Sequence, residues 1–204
     1  MSILAGGRSQ RADARANRGR ILDAAEEVFG AGGESASTEE VARLAGVGIG
    51  TVFRHFPTKA ALLEAVLVRR FDRLREQAES LLDAADPGEA FRSLFGHLVA
   101  YAAPKIAITE ALLDVGGDRD GKAARASEGL HGAVGALLER AQQADAIRDD
   151  AELPEVYALL AGTARATARM SLDEDAKARL LSIIFDGLTP RSHPSAKKAS
   201  GQQG

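Results

Sequence analysis

The sequence has no cysteine, only six prolines and only 4% aromatic residues. The absence of cysteine excludes disulfides and thiolate metal sites, and it fits a reducing compartment. No apolar run approaches the ~20 residues that a membrane-spanning helix needs. The first residues, MSILAGGRSQR, lack the apolar core of a signal peptide. We therefore expect a cytoplasmic protein that has no membrane partner.

Motifs of catalysis are also missing from the chain. There is no Ser–His–acid pattern with a nucleophile elbow, no phosphate-binding glycine loop and no cluster of metal ligands. The glycine-rich run GVGIG is not preceded by a strand, so we interpret it as a turn and a helix start. The sequence thus predicts no catalytic residue, no cofactor and no metal site, and a protein that is not an enzyme.

What the chain does contain favours helices. Alanine is abundant, strand-like alternation is missing, and apolar content is an ordinary 45%. We predict an all-α fold of about nine helices. The expected segments are 14–31, 38–45, 48–56, 59–84, two that begin at 87 and 104, 122–144, one that begins at 154, and 173–187.

The most specific pattern is the run STEEVARLAGVGIGTVFRHFPTK. Ser37 with Glu40 makes a capping box at the start of a short helix. Gly46 stops that helix with an expected positive φ, and Gly48 opens a second helix that ends before Pro57. Two short helices joined by a tight turn are the layout of a helix-turn-helix, whose second helix can enter a DNA major groove.

The second of these helices divides into an apolar and a polar set. We expect Phe53 and Phe56 to be core residues rather than wedges between bases. The apolar stripe consists of Ile49, Val52, Phe53 and Phe56. The positions left for solvent or for DNA are Gly50, Thr51, Arg54 and His55.

Charge is distributed unevenly along the chain. The net charge of −3 argues against a protein that coats nucleic acid in general. Residues 1–20, however, carry five arginines against one aspartate, whereas residues 60–204 are net acidic. A basic arm ahead of a helix-turn-helix suits phosphate contact, above all by Arg15, Arg18 and Arg20. The alternative is a disordered, solubilising arm.

The segment ANRGRILDAAEEVFGAGGESASTEEVARLAGVGIGTVFRHFPTKAALL resembles the N-terminal domain of the TetR family of transcriptional repressors. The resemblance implies a homodimer with a three-helix DNA-binding head on a larger helical bundle. The implied division is a flexible basic arm over 1–13, a helix-turn-helix domain over 14–58, a ligand-binding and dimerisation domain over 59–188, and a disordered tail over 189–204.

The resemblance also implies DNA-contacting positions. Thr51 would lie close to bases or backbone, and His55 and Lys59 would touch phosphates. Phe53 stands where the family usually has a tyrosine whose hydroxyl meets a phosphate, so that hydrogen bond is lost. Apolar contact from Ile49 to thymine methyl groups and guanine readout by Arg54 would remain. The full set is Arg18, Ser37, Thr38, Gly48, Ile49, Thr51, Arg54, His55 and Lys59.

The family's effector pocket lies between the helices of the bundle. For the pocket wall we expect mainly aliphatic side chains, and hence an apolar or amphipathic small molecule. The candidate pocket residues are Phe95, His97, Tyr101, Ile106, Thr109, Leu112, Leu138 and Arg165.

The family's dimer interface is built from the last two helices. The run AGTARATARM is rich in small residues, which permits close packing; the alternative is an internal helix pair in a monomer. The candidate interface residues are Leu160, Thr163, Thr167, Leu181, Ile184 and Phe185. The function implied is a repressor that binds a palindromic double-stranded operator as a dimer and is released by an unidentified small molecule. The alternative is an adaptor whose helix-turn-helix does not bind DNA.

Overall fold

The computed structural model describes residues 4–32, 36–118, 120–170 and 172–190, with backbone alone over 4–11, 103–105 and at 32 and 168. Across these ranges the protein forms eight helices and no strand, which confirms the all-α class. The helices are α1 (Leu4–Gly32), α2 (Thr38–Ala45), α3 (Ile49–His55), α4 (Lys59–Leu81), α5 (Pro87–Asp114), α6 (Lys122–Gln143), α7 (Leu153–Met170) and α8 (Glu174–Leu188).

The first helix is longer than the sequence predicted. α1 begins at Leu4 rather than near residue 14, so the backbone of residues 4–13 is helical. The residues from 8 to 18 contain no proline or glycine and several strong helix formers, so nothing local ends the helix there. The predicted disordered tail falls mainly on residues 191–204, which lie outside the described residues.

One further boundary differs from the prediction. The helix expected to begin at Pro104 is the second half of α5, which continues as a helix from Pro87 to Asp114. Proline removes one backbone hydrogen bond from a helix interior. Buried side chains on both sides of residue 104, among them Leu98 and Ile108, keep the two halves in one helix.

The helix starts follow the capping residues that the sequence offers. Ser37, Thr58, Asp86 and Asp173 each accept a hydrogen bond from the backbone N–H three residues later. Gly46 ends α2 with φ of 64°, as a left-handed cap favours glycine. These caps fix the ends of α2, α4, α5 and α8 within the chain.

The start of α6 is capped from another helix. Gly121 has no side chain to offer, and Glu64 of α4 accepts a hydrogen bond from the backbone N–H of Lys122 at 2.8 Å. A Cβ on Gly121 would lie only 2.5 Å from the Glu64 Oε1 atom, so this approach requires glycine. The beginnings of α4 and α6 are therefore joined.

The core runs without a break from the head into the body. In the head, Ile21, Phe29, Val41, Val52 and Phe56 are buried together. α4 continues this core by packing against α5 and α6, and α5 packs against both α1 and α7. Among the described helices none is both long and apolar enough to span a membrane.

Candidate nucleic-acid interface and effector cavity

The side chains of α3 divide between the core and the surface. Val52 and Phe56 are buried, as predicted, and anchor the helix to the rest of the head. Ile49 and Phe53 are not buried: their side chains are 38% and 43% exposed. The prediction that Phe53 is a core residue was therefore wrong, and an aromatic ring lies on the outer surface of α3.

The outer surface of α3 is open. Gly48 is the N-cap of α3 and provides no capping side chain. Cβ atoms added at Gly48 and Gly50 would meet nothing within 4 Å. With Arg54 also exposed, this surface has the size and shape to approach a groove closely.

The predicted DNA-contacting residues occupy the surface with one exception. Thr38 is buried, because it follows the cap and points into the head, so its side chain is not available as a surface contact. The exposed members are Arg18, Gly48, Ile49 and Arg54, and the half-buried members are Ser37, Thr51, His55 and Lys59.

Two of the predicted cations also contribute to the fold of the head. Lys59 donates a hydrogen bond from Nζ to the carbonyl oxygen of Ala36 at 2.9 Å and lies 5.3 Å from the centre of the Phe29 ring. Arg18 lies over the Phe56 ring at 5.0 Å. Substitution of either residue would thus alter packing as well as charge.

A cluster of five charged residues joins α1 to α4, and we call it the α1–α4 ion cluster. Arg69 contacts Asp23 at 2.8 Å and Glu26 at 3.1 Å. Glu26 also contacts Arg70 at 3.1 Å and Arg73 at 3.4 Å. Three arginines thus face two carboxylates, and Glu26 is shared by all three.

Arg70 reaches beyond this cluster into the body. It is buried, and its Nη2 atom donates to the backbone carbonyl of Tyr101 on α5 at 2.7 Å. Burial lowers the pKa of Arg70, while Glu26 opposes that shift by favouring the charged form. Its Nε atom is buried without a hydrogen-bond partner among the described atoms. One side chain therefore links α1, α4 and α5.

Arg70 also lines a cavity of about 330 Å³ between α4, α5, α6 and α7. The inner wall is apolar and includes Phe71, Leu74, Leu98 and Leu130. Glu110, His131 and Arg165 are exposed at the mouth. A mostly apolar cavity with a few polar groups, set between bundle helices, is the usual form of a small-molecule site.

Half of the predicted pocket residues line this cavity, namely Tyr101, Ile106, Thr109 and Arg165. Phe95 does not, because its ring packs against Phe185 at 5.3 Å in the core. His97 is exposed and its Nδ1 atom lies 2.5 Å from Gln77. Leu112 lines a neighbouring cavity of about 310 Å³, and Leu138 is buried in the core.

Sequence reasoning missed one important cavity residue, Arg70. Arg70 stands at helical spacing from the buried Leu67 and Leu74, and an arginine within an apolar stripe could have revealed it. The Tyr157 hydroxyl is buried and has no hydrogen-bond partner in the described part of the chain. Burial raises the pKa of Tyr157 well above its usual value, and its ring lies 4.4 Å from that of His131.

The predicted interface residues on α7 and α8 face mainly inward. Leu160 and Thr163 are buried in the protomer, and the Thr163 hydroxyl donates to the Leu159 carbonyl at 2.7 Å. Phe185 packs edge-on against Phe91 and Phe95. The Thr167 hydroxyl donates to Ala164, and Leu181 and Ile184 pack partly against the core. Leu160 and Thr163 therefore lie on the side of α7 that packs into the protomer, and an interface at these two positions stays a prediction.

The exposed sides of α7 and α8 nonetheless carry apolar residues, which lie among charged ones such as Arg165, Arg169, Arg179 and Asp186. Met170 and Ile183 are 68% and 67% exposed, and Leu159 is also exposed. Cβ atoms added at Gly162 or Gly187 on these sides would meet nothing within 4 Å. We call this surface the α7–α8 face. Its members at helical spacing are Leu159, Gly162, Ala166 and Met170 on α7, and Leu180, Ile183 and Gly187 on α8.

A metal centre has no support in the described residues, among which no three His, Asp or Glu side chains are grouped to hold an ion.

Two family models match the chain. The model for bacterial regulatory proteins of the tetR family matches residues 21–66. The model for the C-terminal domain of SbtR-like transcriptional regulators matches residues 86–190. Together they cover most of the head and the whole of α5 to α8.

Proteins similar to this chain are also named as transcriptional regulators or repressors. The crystal structure of a TetR transcription regulatory protein from Mycobacterium vanbaalenii is 37% identical, covers 88% of this chain and 99% of that chain, and has a TM-score of 0.72. SCO0520 from Streptomyces coelicolor is 35% identical, with coverages of 86% and 99% and a TM-score of 0.70. The repressor KstR of Mycobacterium tuberculosis is 34% identical over 48% of this chain, and the match spans 46% of KstR. The chain belongs to the TetR family of transcriptional regulators.

Proposed function

We propose that this regulator is a repressor that binds a palindromic DNA operator as a dimer and leaves it when a small molecule enters the body. The observation that carries the proposal is the surface of α3. Val52 and Phe56 anchor the helix, while Gly48, Ile49 and Arg54 face outward. A short helix held in this way can enter a major groove.

The contacts of α3 would be of two kinds. Arg54 carries the guanidinium group that suits bidentate contact with guanine. Ile49 offers apolar contact with thymine methyl groups, and the glycines at 48 and 50 allow the backbone to come close. His55, Ser37 and the start of α4 would meet phosphates, which position the head without reading sequence.

A dimer would come from the α7–α8 face. Two copies of an apolar face on two helices form an isologous four-helix contact, in which each residue is used twice. Gly162 and Gly187 would let the partner helices approach closely. Such a dimer would present its two copies of α3 to two successive major grooves of a palindrome, one copy to each groove.

Release would run through α4. Arg70 touches the cavity, α1 and α5 at once, so a molecule in the cavity acts directly on a residue that holds the head. A ligand that binds better to the DNA-incompetent arrangement shifts the population toward it. The linkage requires that operator DNA weaken ligand binding by the same factor.

Selection of bound fragments from random DNA tests the proposal. We expect a palindromic sequence to emerge, and its affinity to fall with salt at a log–log slope of about −0.9 per phosphate contact. An adaptor that does not bind DNA would give no enriched sequence and no such slope. That outcome would reject the repressor.

Substitution of Arg54 by alanine is expected to weaken operator binding by about 1–3 kcal/mol and to relax preference at one base pair. His55→Ala should weaken binding to all sequences alike, because a phosphate contact carries no sequence information. Fluorescence anisotropy on the selected operator and on its single-base variants measures both effects. Arg92→Ala is the control, since Arg92 lies at the start of α5, at the end of α4 remote from the head. Equal losses for Arg54→Ala and Arg92→Ala would contradict the assignment.

Phe53→Tyr is expected to strengthen DNA binding about two- to tenfold. The ring is exposed on α3, so an added hydroxyl can reach a phosphate, and a hydrogen bond contributes about 0.5–1.5 kcal/mol. The gain should be the same for operator and unrelated DNA. Phe53→Leu keeps an apolar side chain without a hydroxyl and should not show the gain. A loss of affinity in Phe53→Tyr would place the ring against bases instead.

A further inference from the structure

We propose that the cavity beside Arg70 takes a compact, mostly apolar organic acid, and that its carboxylate competes with Glu26 for Arg70. The inference rests on the proposed ligand-released function and names the class of ligand. It starts from two buried donors in one cavity wall, the Nε of Arg70 and the hydroxyl of Tyr157, neither of which has a partner among the described atoms.

The volume sets the size of the molecule. A cavity of about 330 Å³ lies at the lower end of the volumes of about 300–1,000 Å³ that small-molecule sites have, so it suits a small ligand. A neighbouring cavity of about 310 Å³ has Phe71, Thr109 and Ser127 in its wall as well. An acid of about 10 to 14 non-hydrogen atoms matches this space.

The inner wall sets the body of the molecule. Phe71, Leu74, Leu98, Leu130 and Leu160 are all buried and line the cavity. Such a wall stabilises an aliphatic chain or a single ring by removing apolar surface from water. Charge on the ligand must therefore be confined to one end.

The two buried donors set the polar end. A buried donor without an acceptor is costly, so a ligand that supplies an acceptor gains both its own hydrogen bond and relief of that cost. Arginine is suited to carboxylates because its guanidinium group donates from several N–H groups in one plane. A carboxylate has two oxygens and can accept from Arg70 and from Tyr157.

The sign of the local charge favours an anion. The α1–α4 ion cluster has Arg69, Arg70 and Arg73 against Asp23 and Glu26, and so carries one excess positive charge. At the mouth, Glu110 and Arg165 have opposite charges, and His131 lies beside them. A cationic ligand would meet repulsion from the buried arginine, whereas an anion would be attracted.

The same geometry connects binding to the head. Glu26 on α1 contacts Arg70 from one side, and the cavity opens on the other. A ligand carboxylate that shares the guanidinium group weakens the Arg70–Glu26 contact and thereby the link between α1 and α4. The acid is thus both a ligand and a competitor of a structural ion pair.

Matched probes test the class of ligand. The full-length chain is titrated by calorimetry with 4-phenylbutanoate and octanoate, and with 4-phenylbutanamide and octanamide, which have the same numbers of non-hydrogen atoms. We expect each acid to bind at least tenfold more tightly than its amide. If neither acid exceeds its amide, or if neither binds, the proposal is overturned.

Tyr157→Phe provides a readout that a general structural role would not give. Removing a buried unpaired hydroxyl should raise the Tm of the free protein by about 2–4 °C, because the folded state no longer bears the cost of taking that hydroxyl out of water. The same change should weaken acid binding about fivefold or more. His97→Gln, which changes an exposed residue outside the cavity, should alter neither. A lower Tm together with unchanged acid affinity would contradict the assignment of Tyr157.

The DNA readout separates this proposal from the repressor itself. Acid that binds selectively should also lower the affinity for the selected operator, and unchanged operator affinity would overturn the competition with Glu26. Absence of any DNA binding, with selective acid binding intact, would count against the proposed repressor and leave the assignment of the cavity standing.

Discussion

Replacement of Ile183 by aspartate is expected to convert the dimer into monomers at micromolar concentration. Ile183 is 67% exposed in the protomer, so only dimerisation through the α7–α8 face would bury it. Burial of an isoleucine side chain stabilises by about 1.5–3 kcal/mol, and an isologous contact uses it twice. The loss of about 3–6 kcal/mol raises the dimer Kd by roughly two to four orders of magnitude.

Sedimentation velocity over a range of concentrations measures this effect, and operator binding should fall with it. Gly162→Leu is a second variant, which would block close approach of the partner while meeting nothing in its own protomer. Gly132→Leu is its matched control, because Gly132 is also an exposed helical glycine with open space around it, but on α6. The interface would be refuted if Gly132→Leu dissociated the dimer. It would also be refuted if neither Ile183→Asp nor Gly162→Leu did so.

Glu26→Gln is expected to lower the free energy of unfolding by about 2–3 kcal/mol and the Tm by about 4–12 °C. Glu26 is the one carboxylate that contacts all three arginines of the α1–α4 ion cluster. Glutamine keeps one acceptor oxygen for Arg70, but it removes the negative charge that compensates the buried guanidinium group. Since the Glu26 side chain is 22% exposed, water offsets part of the 3–5 kcal/mol typical of a fully buried pair.

Glu27→Gln is the matched control. It makes the same substitution at the next residue of α1, whose side chain is exposed. Chemical denaturation measures the stability of both variants. A double-mutant cycle with Arg70→Met isolates the coupling between Glu26 and Arg70. Equal stability of the two glutamine variants would show that the ion cluster does not hold α1 against α4.

The helix ends of the head could be predicted from sequence because they depend on local chemistry. Ser37 and Thr58 cap their helices through side-chain oxygens, and Gly46 adopts the positive φ that ends α2. Each of these interactions joins residues at most a few positions apart. Pattern and propensity therefore suffice for them.

The orientation of α3 could not be predicted in the same way. Val52 and Phe56 are four residues apart, and so are Ile49 and Phe53, which gives two apolar pairs on adjacent sides of one helix. Periodicity does not say which pair meets the core. Contacts with α1, distant in sequence, bury the first pair and leave the second exposed.

The cavity and the dimer surface show the same limit. On α7, Leu159 and Leu160 are neighbours in sequence with similar chemistry, yet one is exposed and the other lines the cavity. Tyr157 gains its importance from helices α4 to α6, which enclose its hydroxyl. Such properties depend on how the helices are placed against one another, and a single sequence carries little information on that.

The carboxylate of Glu64 has a consequence for the way in which the head could move. It accepts from the first N–H of α6, and the absence of a Cβ on Gly121 allows the carboxylate to come this close. If α4 tilts, either the start of α6 moves with it or this hydrogen bond breaks. In the second case the first turn of α6 loses its cap. A ligand that tilts α4 should therefore be felt at the start of α6, because a hydrogen bond weakens steeply once its atoms separate.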